Sequence, residues 1–415
     1  MAHARTCRNP ARHEATASSV VLARMFPCTA KTIGGCTWTT GLRRSPAGMI
    51  ACSTHPAALL VHLMACQPAR SLHARAARHA ALNMIAKAGN KDACAALIVG
   101  HGLIGGSLRA RLREVAELPV VCIGRRHREL PNYRALDLAS ETGRAALDKV
   151  VADLHPRCVV LAHGPSDVTW IDKNEAAAAA VHCGVAAIVA RSAAPAVVIS
   201  TDNVFSGTRG GCRPGDPAEP ANGYGRVKAR AESIALAGGA ALVLRVSLVY
   251  GWHRPGQRAT FAQRCLEAAA EGRPVDAPTD QLFTPIHVRD VSVVTAAVCR
   301  SGGQLTGIKH LAGPIELSRY EFARLAYRLA GADTTLVRPC LRQDTEWACR
   351  PRFSSLTCGT FSGLPGLAKW RPMTPEEGLR EMLATWPTGR ASPQSRGQRP
   401  WQEAVSLAAR RAGEL

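Results

Sequence analysis

The sequence predicts an α/β fold built on a doubly wound parallel sheet. From Ala95 onward, short apolar runs of strand length alternate with amphipathic or alanine-rich stretches of helix length, which is the pattern of successive β-α-β units. Glycine-rich or polar segments follow several of these apolar runs, where sheets of this kind bind ligands. We therefore expect a Rossmann-like domain over residues 93–385, with a smaller C-terminal substrate lobe formed mainly by residues 251–385.

The first apolar run, ACAALIVG, leads directly into glycines and an amphipathic helical pattern. Gly100, Gly102 and Gly105 have the GxGxxG spacing of a dinucleotide-binding loop. The first glycine permits a tight turn, the second lets the backbone approach a pyrophosphate, and the third lets strand and helix pack closely. Leu103 and Ile104 lie between the last two glycines, where a helix N-terminus offers N–H donors to phosphate. The segment predicts a cofactor-binding loop.

Two arginines follow the second apolar run, LPVVCIG. At this point, a site selective for NAD has an acidic residue that binds the ribose diol, whereas this chain has Arg125 and Arg126. Guanidinium groups suit a 2′-phosphate, so the pair predicts NADP(H). The alternative interpretation is a basic, solvent-exposed loop.

Further helices and strands are expected in alternation down to residue 250. Helical patterns cover residues 145–154 and Lys173–Arg191, and buried strands are expected at Cys158–His163 and Ala196–Ser200 and from Ala241. His163 ends one of these strands and is a candidate cofactor-binding residue. The segments GxGxxG, AHGPSD, STDNVF and RVSLVYG all follow predicted strands, so the fold should bring them to one edge of the sheet.

Tyr224 and Lys228 lie four residues apart, at the spacing of about one helical turn. An ammonium beside a phenol favours phenolate and lowers the pKa of the tyrosine, which makes the pair a workable proton donor. Thr201, in the preceding Ser-Thr pair, could hold a carbonyl oxygen. These residues suit reduction of a ketone by hydride, although an exposed helix start with an incidental lysine is the alternative.

Beyond Gly251, helices are expected at residues 260–272 and from Val288 or Asp290, with a short strand at GIKHLAG. The stretch LSRYEFARLAYRLAG predicts another helix, with Ser318 as N-cap and Glu321 at capping-box spacing.

The termini and the composition limit the remaining possibilities. The net charge of the 415 residues is +21, but residues 1–92 carry twelve Lys or Arg and two acids, so they are expected to form a basic, poorly structured extension, a leader, or sequence upstream of the true start. Residues 386–415 are expected to be a linker with a short terminal helix. No nucleic-acid-reading motif or membrane-length apolar run is evident, and the fifteen scattered cysteines suggest neither a metal site nor disulfides, so a cytoplasmic protein is expected.

Taken in order, these motifs resemble the extended short-chain dehydrogenase/reductase family, and within it the dTDP-4-dehydrorhamnose reductases. STDNVFSG is similar to the family's STDYVFDG, and PANGYGRVKARAE is similar to PxNxYGxxKxxxE. VLRVSLVYG, DQLFTPIHVRDV, GIKHLAG and RPRFSSL follow in the family's order. The chain departs from the family's pattern in having Asn203 for the tyrosine of STDYVF, and His163-Gly164-Pro165 for an Asn-Ala-Ala turn.

The resemblance implies that NADPH delivers hydride to the 4-keto carbon of a nucleotide-linked deoxysugar. It implies that Tyr224 protonates the developing alkoxide, that Lys228 lowers the pKa of Tyr224 and holds the nicotinamide ribose, and that Thr201 bonds the carbonyl oxygen. The substrate-binding residues that it suggests are Asp202, Asn203, Arg245 and Gln281. For Arg245, a structural ion pair is an equal alternative.

Two other functions remain open at this point. One is an epimerase or dehydratase of the same family. The other is a non-catalytic, nucleotide-binding regulatory subunit that resembles the methionine adenosyltransferase β subunit. The sequence leaves a homodimer open, and it predicts no metal ligands.

Overall fold

The computed structural model describes residues 96–115, 119–126, 128–192, 194–253 and 257–387. The predicted N-terminal extension lies outside the described residues, as does the predicted terminal helix with nearly all of the linker before it.

The described residues form thirteen strands and nine α-helices. The strands are β1 (Ala96–Val99), β2 (Val120–Gly124), β3 (Tyr133–Ala135), β4 (Val159–Leu161), β5 (Ala196–Thr201), β6 (Ala241–Val246), β7 (Val249–Tyr250), β8 (Val275–Pro278), β9 (Leu282–Phe283), β10 (Ile286–His287), β11 (Gly307–Leu311), β12 (Leu317–Ser318) and β13 (Val337–Cys340). The helices are α1 (Leu103–Val115), α2 (Glu141–Leu154), α3 (Val168–Lys173), α4 (Glu175–Ser192), α5 (Gly223–Ala237), α6 (Phe261–Glu271), α7 (Val288–Arg300), α8 (Arg319–Leu329) and α9 (Pro375–Ala384).

Seven of these strands form one sheet, in the order β11-β6-β5-β4-β1-β2-β3, and all six pairings are parallel. The strand order reverses at β1, which lies between β4 and β2. A ligand cleft is expected at such a reversal, beyond the carboxyl ends of the strands.

Helices cover both faces of this sheet. On one face, Ala96 and Ile98 of β1 share an apolar core with Leu108 of α1 and Val291 of α7. Because successive side chains of a strand point to opposite faces, Leu97 and Val99 of β1 lie in the other core, with residues of α2, α4 and α5. The predicted doubly wound parallel sheet is confirmed.

The C-terminal helices pack around a third core. Tyr250, Phe261, Phe322 and Leu379, from β7, α6, α8 and α9, are all buried in it. The three other sheets each have two strands, which pair β10 with β7, β12 with β9, and β13 with β8. Gln281, Phe283 and Arg319, from this part of the chain, lie beside the carboxyl ends of β5 and β6.

Local signals explain where several helices begin. Ser318 caps α8 and forms the predicted capping box with Glu321, so that expectation is confirmed. Thr374 and Glu377 form a second capping box at the start of α9, with Pro375 in the first turn. Sequence reasoning missed α9, although the stretch MTPEEG carries both of these signals.

The helix expected over Lys173–Arg191 is α4, which begins two residues later and is preceded by the short helix α3. α3 ends at Lys173, and α4 starts at Glu175. Within the described part of the chain, α4 alone is long and apolar enough to span a membrane by composition. A core helix passes the same test, and Val185 and Ile188 of α4 are buried in the second core.

Candidate active site

Two adjoining cavities lie at the carboxyl ends of the strands. The first, of 350 Å³, is lined by Thr201, Tyr224 and Lys228, and we call it the tyrosine cavity. The second, of 850 Å³, is lined by Gly102 and Arg125, and we call it the glycine-loop cavity. Both cavities also share lining residues, which makes them one continuous cleft; the shared residues include Gly102, His163, Arg319 and Arg350.

The glycine loop has the geometry that its spacing predicts. Gly100 has a φ of 107°, and a Cβ there would overlap the carbonyl oxygen of Ala162. A Cβ at Gly105 would overlap the carbonyl oxygen of Gly100, so this glycine lets α1 pack against β1. Gly102 has no atom within 4 Å of its Cβ position and faces the open cavity. The loop can therefore admit a ligand against its backbone at Gly102.

The basic segment after β2 lines the glycine-loop cavity. Arg125 and Arg126 are both exposed at its wall. The Tyr133 hydroxyl donates a hydrogen bond of 2.8 Å to the carbonyl oxygen of Arg126, which fixes the backbone of the segment. Arg128 lines the same cavity and was missed by sequence reasoning, although it belongs to the same basic run.

The first turn of α5 is held against the loop that follows β5. Asn222 caps the helix by accepting a hydrogen bond of 2.8 Å from Gly225 N, and it donates one of 3.1 Å to Asn203 Oδ1. A Cβ at Gly225 would overlap the Asn203 carbonyl oxygen. This close approach brings the Tyr224 hydroxyl into a hydrogen bond with the Thr201 hydroxyl.

Burial raises the pKa of Tyr224 to about 12, and the Asp202 carboxylate adds to the increase. The Arg350 guanidinium and the Thr201 hydrogen bond act in the opposite direction. The resemblance led us to expect that Lys228 lowers this pKa, but in the structure the opposing positive charge comes from Arg350. Tyr224 is thus a protonated phenol at neutral pH, as a proton donor must be.

Lys228 lies one turn after Tyr224 on α5 and also faces the tyrosine cavity. Its Nζ donates a hydrogen bond of 2.7 Å to the carbonyl oxygen of Ile199, which directs the ammonium toward the backbone of β5. Burial lowers the pKa of Lys228 to about 8, while the Glu232 carboxylate acts to raise it. At neutral pH the side chain is therefore mostly charged, and it loses its proton under mildly alkaline conditions.

Asp202 is buried next to Thr201, at the end of the pair formed by the Tyr224 and Thr201 hydroxyl groups. Its Oδ1 accepts hydrogen bonds of 3.1 Å from Thr201 Oγ1 and 2.8 Å from Asn203 Nδ2, and its Oδ2 accepts one of 3.1 Å from Ser247 Oγ. Burial raises the pKa of the carboxyl group, whereas these hydrogen bonds lower it. Tyr224, Thr201 and Asp202 thus form one hydrogen-bonded chain along the cavity wall.

Gln281 and Arg245 have different positions relative to the cleft. Gln281 is buried in the wall of the tyrosine cavity, and its Oε1 accepts a hydrogen bond from Arg319 Nε. Arg245 is not among the residues that line either cavity, and its Nη2 lies 2.8 Å from the carboxylate of Glu232, with both side chains 3% exposed. Arg245 therefore forms a structural ion pair, which was the alternative to a substrate-binding role.

The family model described as RmlD substrate binding domain matches residues 96–385. The chain belongs to this family. A dTDP-4-dehydrorhamnose reductase of Mycobacterium tuberculosis is 32% identical over 243 residues, which are 55% of this chain and 78% of that protein. Bovine methionine adenosyltransferase 2 subunit beta is 25% identical over 304 residues, covering 70% of this chain and 87% of the relative.

A solved structure has the same fold. It is a dTDP-4-dehydrorhamnose reductase from Bacillus anthracis in complex with NADP, with a TM-score of 0.58 and 22% sequence identity. The similarity covers 70% of this chain and 98% of that one.

This member of the RmlD substrate binding domain family has a histidine pair beneath its His163-Gly164-Pro165 turn. The rings of His163 and His182 lie 5.4 Å apart, and His182 Nε2 is 3.0 Å from the carbonyl oxygen of Pro165. Gly164 has a φ of 92°, and a Cβ there would overlap the His182 ring. Burial, followed by the charge of Lys228, lowers the pKa of both rings, that of His163 to about 3. Both rings are therefore neutral.

Sequence reasoning missed three further residues that line the cleft. His182 lies within the alanine-rich stretch of α4, where nothing in the local pattern marks it. Arg350 begins RPRFSSL and Arg319 lies in LSRYEFA, so the motifs were found but these side chains were not singled out. Among the described residues, no His, Cys, Asp and Glu side chains group in a way that would hold a metal ion.

Proposed function

We propose that this protein is an NADP(H)-dependent reductase that reduces the 4-keto group of a nucleotide-linked deoxysugar. One observation carries the proposal. Thr201, Tyr224 and Lys228 line a cavity that is continuous with the cavity at the GxGxxG loop. A proton donor and a dinucleotide loop in one cleft suit hydride transfer to a carbonyl group.

The residues of the cleft fit a nicotinamide dinucleotide. Gly102 leaves its backbone open to a pyrophosphate, and the first turn of α1 follows with Leu103 and Ile104. Arg125 and Arg126 would hold a 2′-phosphate, since both reach the wall of the glycine-loop cavity. When bound, the reduced dinucleotide supplies the hydride.

The side chains of the tyrosine cavity would manage the proton. Tyr224 is protonated at neutral pH, and it would donate to the alkoxide oxygen as charge develops there. The Thr201 hydroxyl, which donates to Asp202 Oδ1 in the structure, would turn to donate to the same oxygen when a substrate is bound. Lys228 would place a positive charge beside the site and hold the nicotinamide ribose. Asn203 and Gln281 would contact the sugar, in a substrate lobe formed mainly by residues 251–385.

The relatives support the reaction class. The Mycobacterium tuberculosis relative is named a dTDP-4-dehydrorhamnose reductase, and the Bacillus anthracis structure contains NADP. The proposal includes a cytoplasmic location, for which the scattered cysteines are the argument.

The test is to incubate the purified protein with NADPH and a panel of nucleotide-linked 4-keto-6-deoxysugars. We expect loss of absorbance at the nicotinamide band with at least one sugar, and a product reduced at carbon 4. The same panel with NADH is the control for cofactor choice. Tight NADPH binding without turnover of any sugar would contradict the proposal.

That outcome would favour a second candidate, a nucleotide-binding regulatory subunit. The similarity to bovine methionine adenosyltransferase 2 subunit beta supports this candidate, because it extends over 70% of the chain. The hydrogen-bonded set of Thr201, Tyr224 and Asp202 favours the reductase, because a binding module has no need for a positioned proton donor.

A further inference from the structure

Arg319 is buried in a box of aromatic side chains at the wall of the cleft. It is the first residue of α8, and its side chain is 2% exposed. The guanidinium carbon lies 4.5 Å from the centre of the Trp347 ring, 4.7 Å from that of Phe261 and 5.4 Å from that of Phe283. Cation–π contacts with three rings hold the planar group in one orientation.

The hydrogen bonds of Arg319 leave part of its guanidinium unpaired. Nε donates to Gln281 Oε1, whereas Nη1 is buried and has no hydrogen-bond partner. Within the part of the chain that the structure describes, no carboxylate lies within 4.0 Å of this guanidinium. Burial and the positive charges of Arg350 and Arg264 lower the pKa of Arg319, but an arginine in a protein keeps its proton. The Asp202 carboxylate acts to raise the pKa of Arg319 but forms no ion pair with it, so this buried cation has no counter-ion in contact, which costs free energy unless a ligand provides one.

The position of Arg319 indicates what the ligand carries. Arg319 lines both the tyrosine cavity and the glycine-loop cavity, and so does Arg350, whose Nε is also buried and unpartnered. Arg350 is close enough to Tyr224 to lower the pKa of its hydroxyl, and the Asp202 carboxylate acts to raise the pKa of Arg350. One molecule can therefore meet Tyr224 with a carbonyl group and reach Arg319 with an anionic group.

We propose that Arg319 is a specificity-determining residue that binds an anionic oxygen group of the substrate, with Arg350 beside it. The inference rests on the proposed function, because it assumes that a substrate occupies the tyrosine cavity. A planar guanidinium can donate two parallel hydrogen bonds to the oxygens of a phosphate or of a carboxylate. The group is either the diphosphate of a nucleotide or a carboxylate on the sugar. The aromatic box holds the guanidinium in one orientation before binding, so little side-chain entropy is lost when the ligand binds.

The experiment is calorimetric titration of the ligand-free protein with dTDP, UDP-glucose, UDP-glucuronate and NADPH. The variant is Arg319→Gln, and the matched control is Arg324→Gln, which removes an exposed arginine stacked 5.6 Å from the Tyr320 ring on the same helix. For Arg319→Gln we expect at least tenfold weaker binding of dTDP if the group is the diphosphate. If it is a sugar carboxylate, we expect that loss for UDP-glucuronate but not for UDP-glucose. NADPH affinity should change by less than threefold, and the control should bind every probe as the natural chain does.

Unchanged affinity for every probe would overturn the inference, and so would a loss confined to NADPH, which would assign Arg319 to the cofactor. A second variant, Arg319→Met, addresses a purely structural role. Since it removes an unpaired buried charge, the Tm of the ligand-free protein should stay the same or rise while affinity falls. A lower Tm with intact affinity would make the residue structural. If no 4-keto sugar is reduced but Arg319→Gln still binds dTDP at least tenfold more weakly, the reductase proposal is wrong and the assignment of Arg319 to an anion-binding site still holds.

Discussion

Lys228 provides the prediction whose size follows most directly from the structure. Its Nζ is buried against the carbonyl oxygen of Ile199, and its pKa is lowered to about 8. A group with that pKa is about nine-tenths protonated at pH 7 and about one-tenth protonated at pH 9. If the ammonium form is required, kcat/KM for reduction should fall about tenfold between these two values of pH. Tyr224 cannot cause this decrease, because its pKa of about 12 lies well above the range.

The assay is NADPH consumption at saturating cofactor and low sugar substrate, measured from pH 6 to pH 9.5. Lys228→Met is the matched variant, and it should be slower at every pH and show no alkaline decrease. Urea unfolding of both proteins at pH 7 checks that the variant has folded. A flat profile for the natural chain would refute the reasoning, and so would an alkaline decrease that persists in Lys228→Met.

Three more predictions concern the cofactor, a buried ion pair and a buried acid. Arg125→Ala combined with Arg126→Ala should weaken NADPH binding at least tenfold more than NADH binding; equal losses in a titration would remove the 2′-phosphate role. Glu232→Gln leaves its buried arginine partner without a counter-charge and should cost about 3–5 kcal/mol in urea unfolding. Glu175→Gln, which breaks an exposed pair, should cost no more than about 1 kcal/mol, and similar costs for the two variants would contradict this account. Burial raises the pKa of Asp290 to about 6, so the folded state binds more protons than the unfolded state between about pH 4 and pH 6 and loses stability as the pH rises. The stability of Asp290→Asn relative to the natural chain should therefore increase over that range by up to about 3 kcal/mol, and a pH-independent difference would disprove the shift.

The parts of the fold that the sequence predicted are those with local signals. β1 and the glycine loop follow from an apolar run and three glycines, because a turn and a close approach of backbones need nothing distant. The start of α8 follows from Ser318 and Glu321, which lie within one turn. β3 was missed because Tyr133–Ala135 is a short edge strand with exposed residues and no apolar run.

The parts of the site that could not be predicted depend on contacts between distant segments. Asp202 raises the pKa of Tyr224, and Arg350 lowers it. Asp202 precedes Tyr224 in the chain, whereas Arg350 follows it by more than a hundred residues. The ion pair of Arg245 needed the position of Glu232, on the helix that precedes β6. Spacing within a motif identified Tyr224 and Lys228, but it could not show which charge faces which group.

In the proposed reaction, Tyr224 donates the proton to a substrate that is reduced in this cleft. The most direct measurement compares the natural chain with Tyr224→Phe, using NADPH and a nucleotide-linked 4-keto-6-deoxysugar that the natural chain reduces. We expect kcat to fall at least a hundredfold and NADPH affinity to change by less than threefold, because only the hydroxyl group is removed. A Tyr224→Phe variant that reduces the sugar at the rate of the natural chain would show that Tyr224 is not the proton donor.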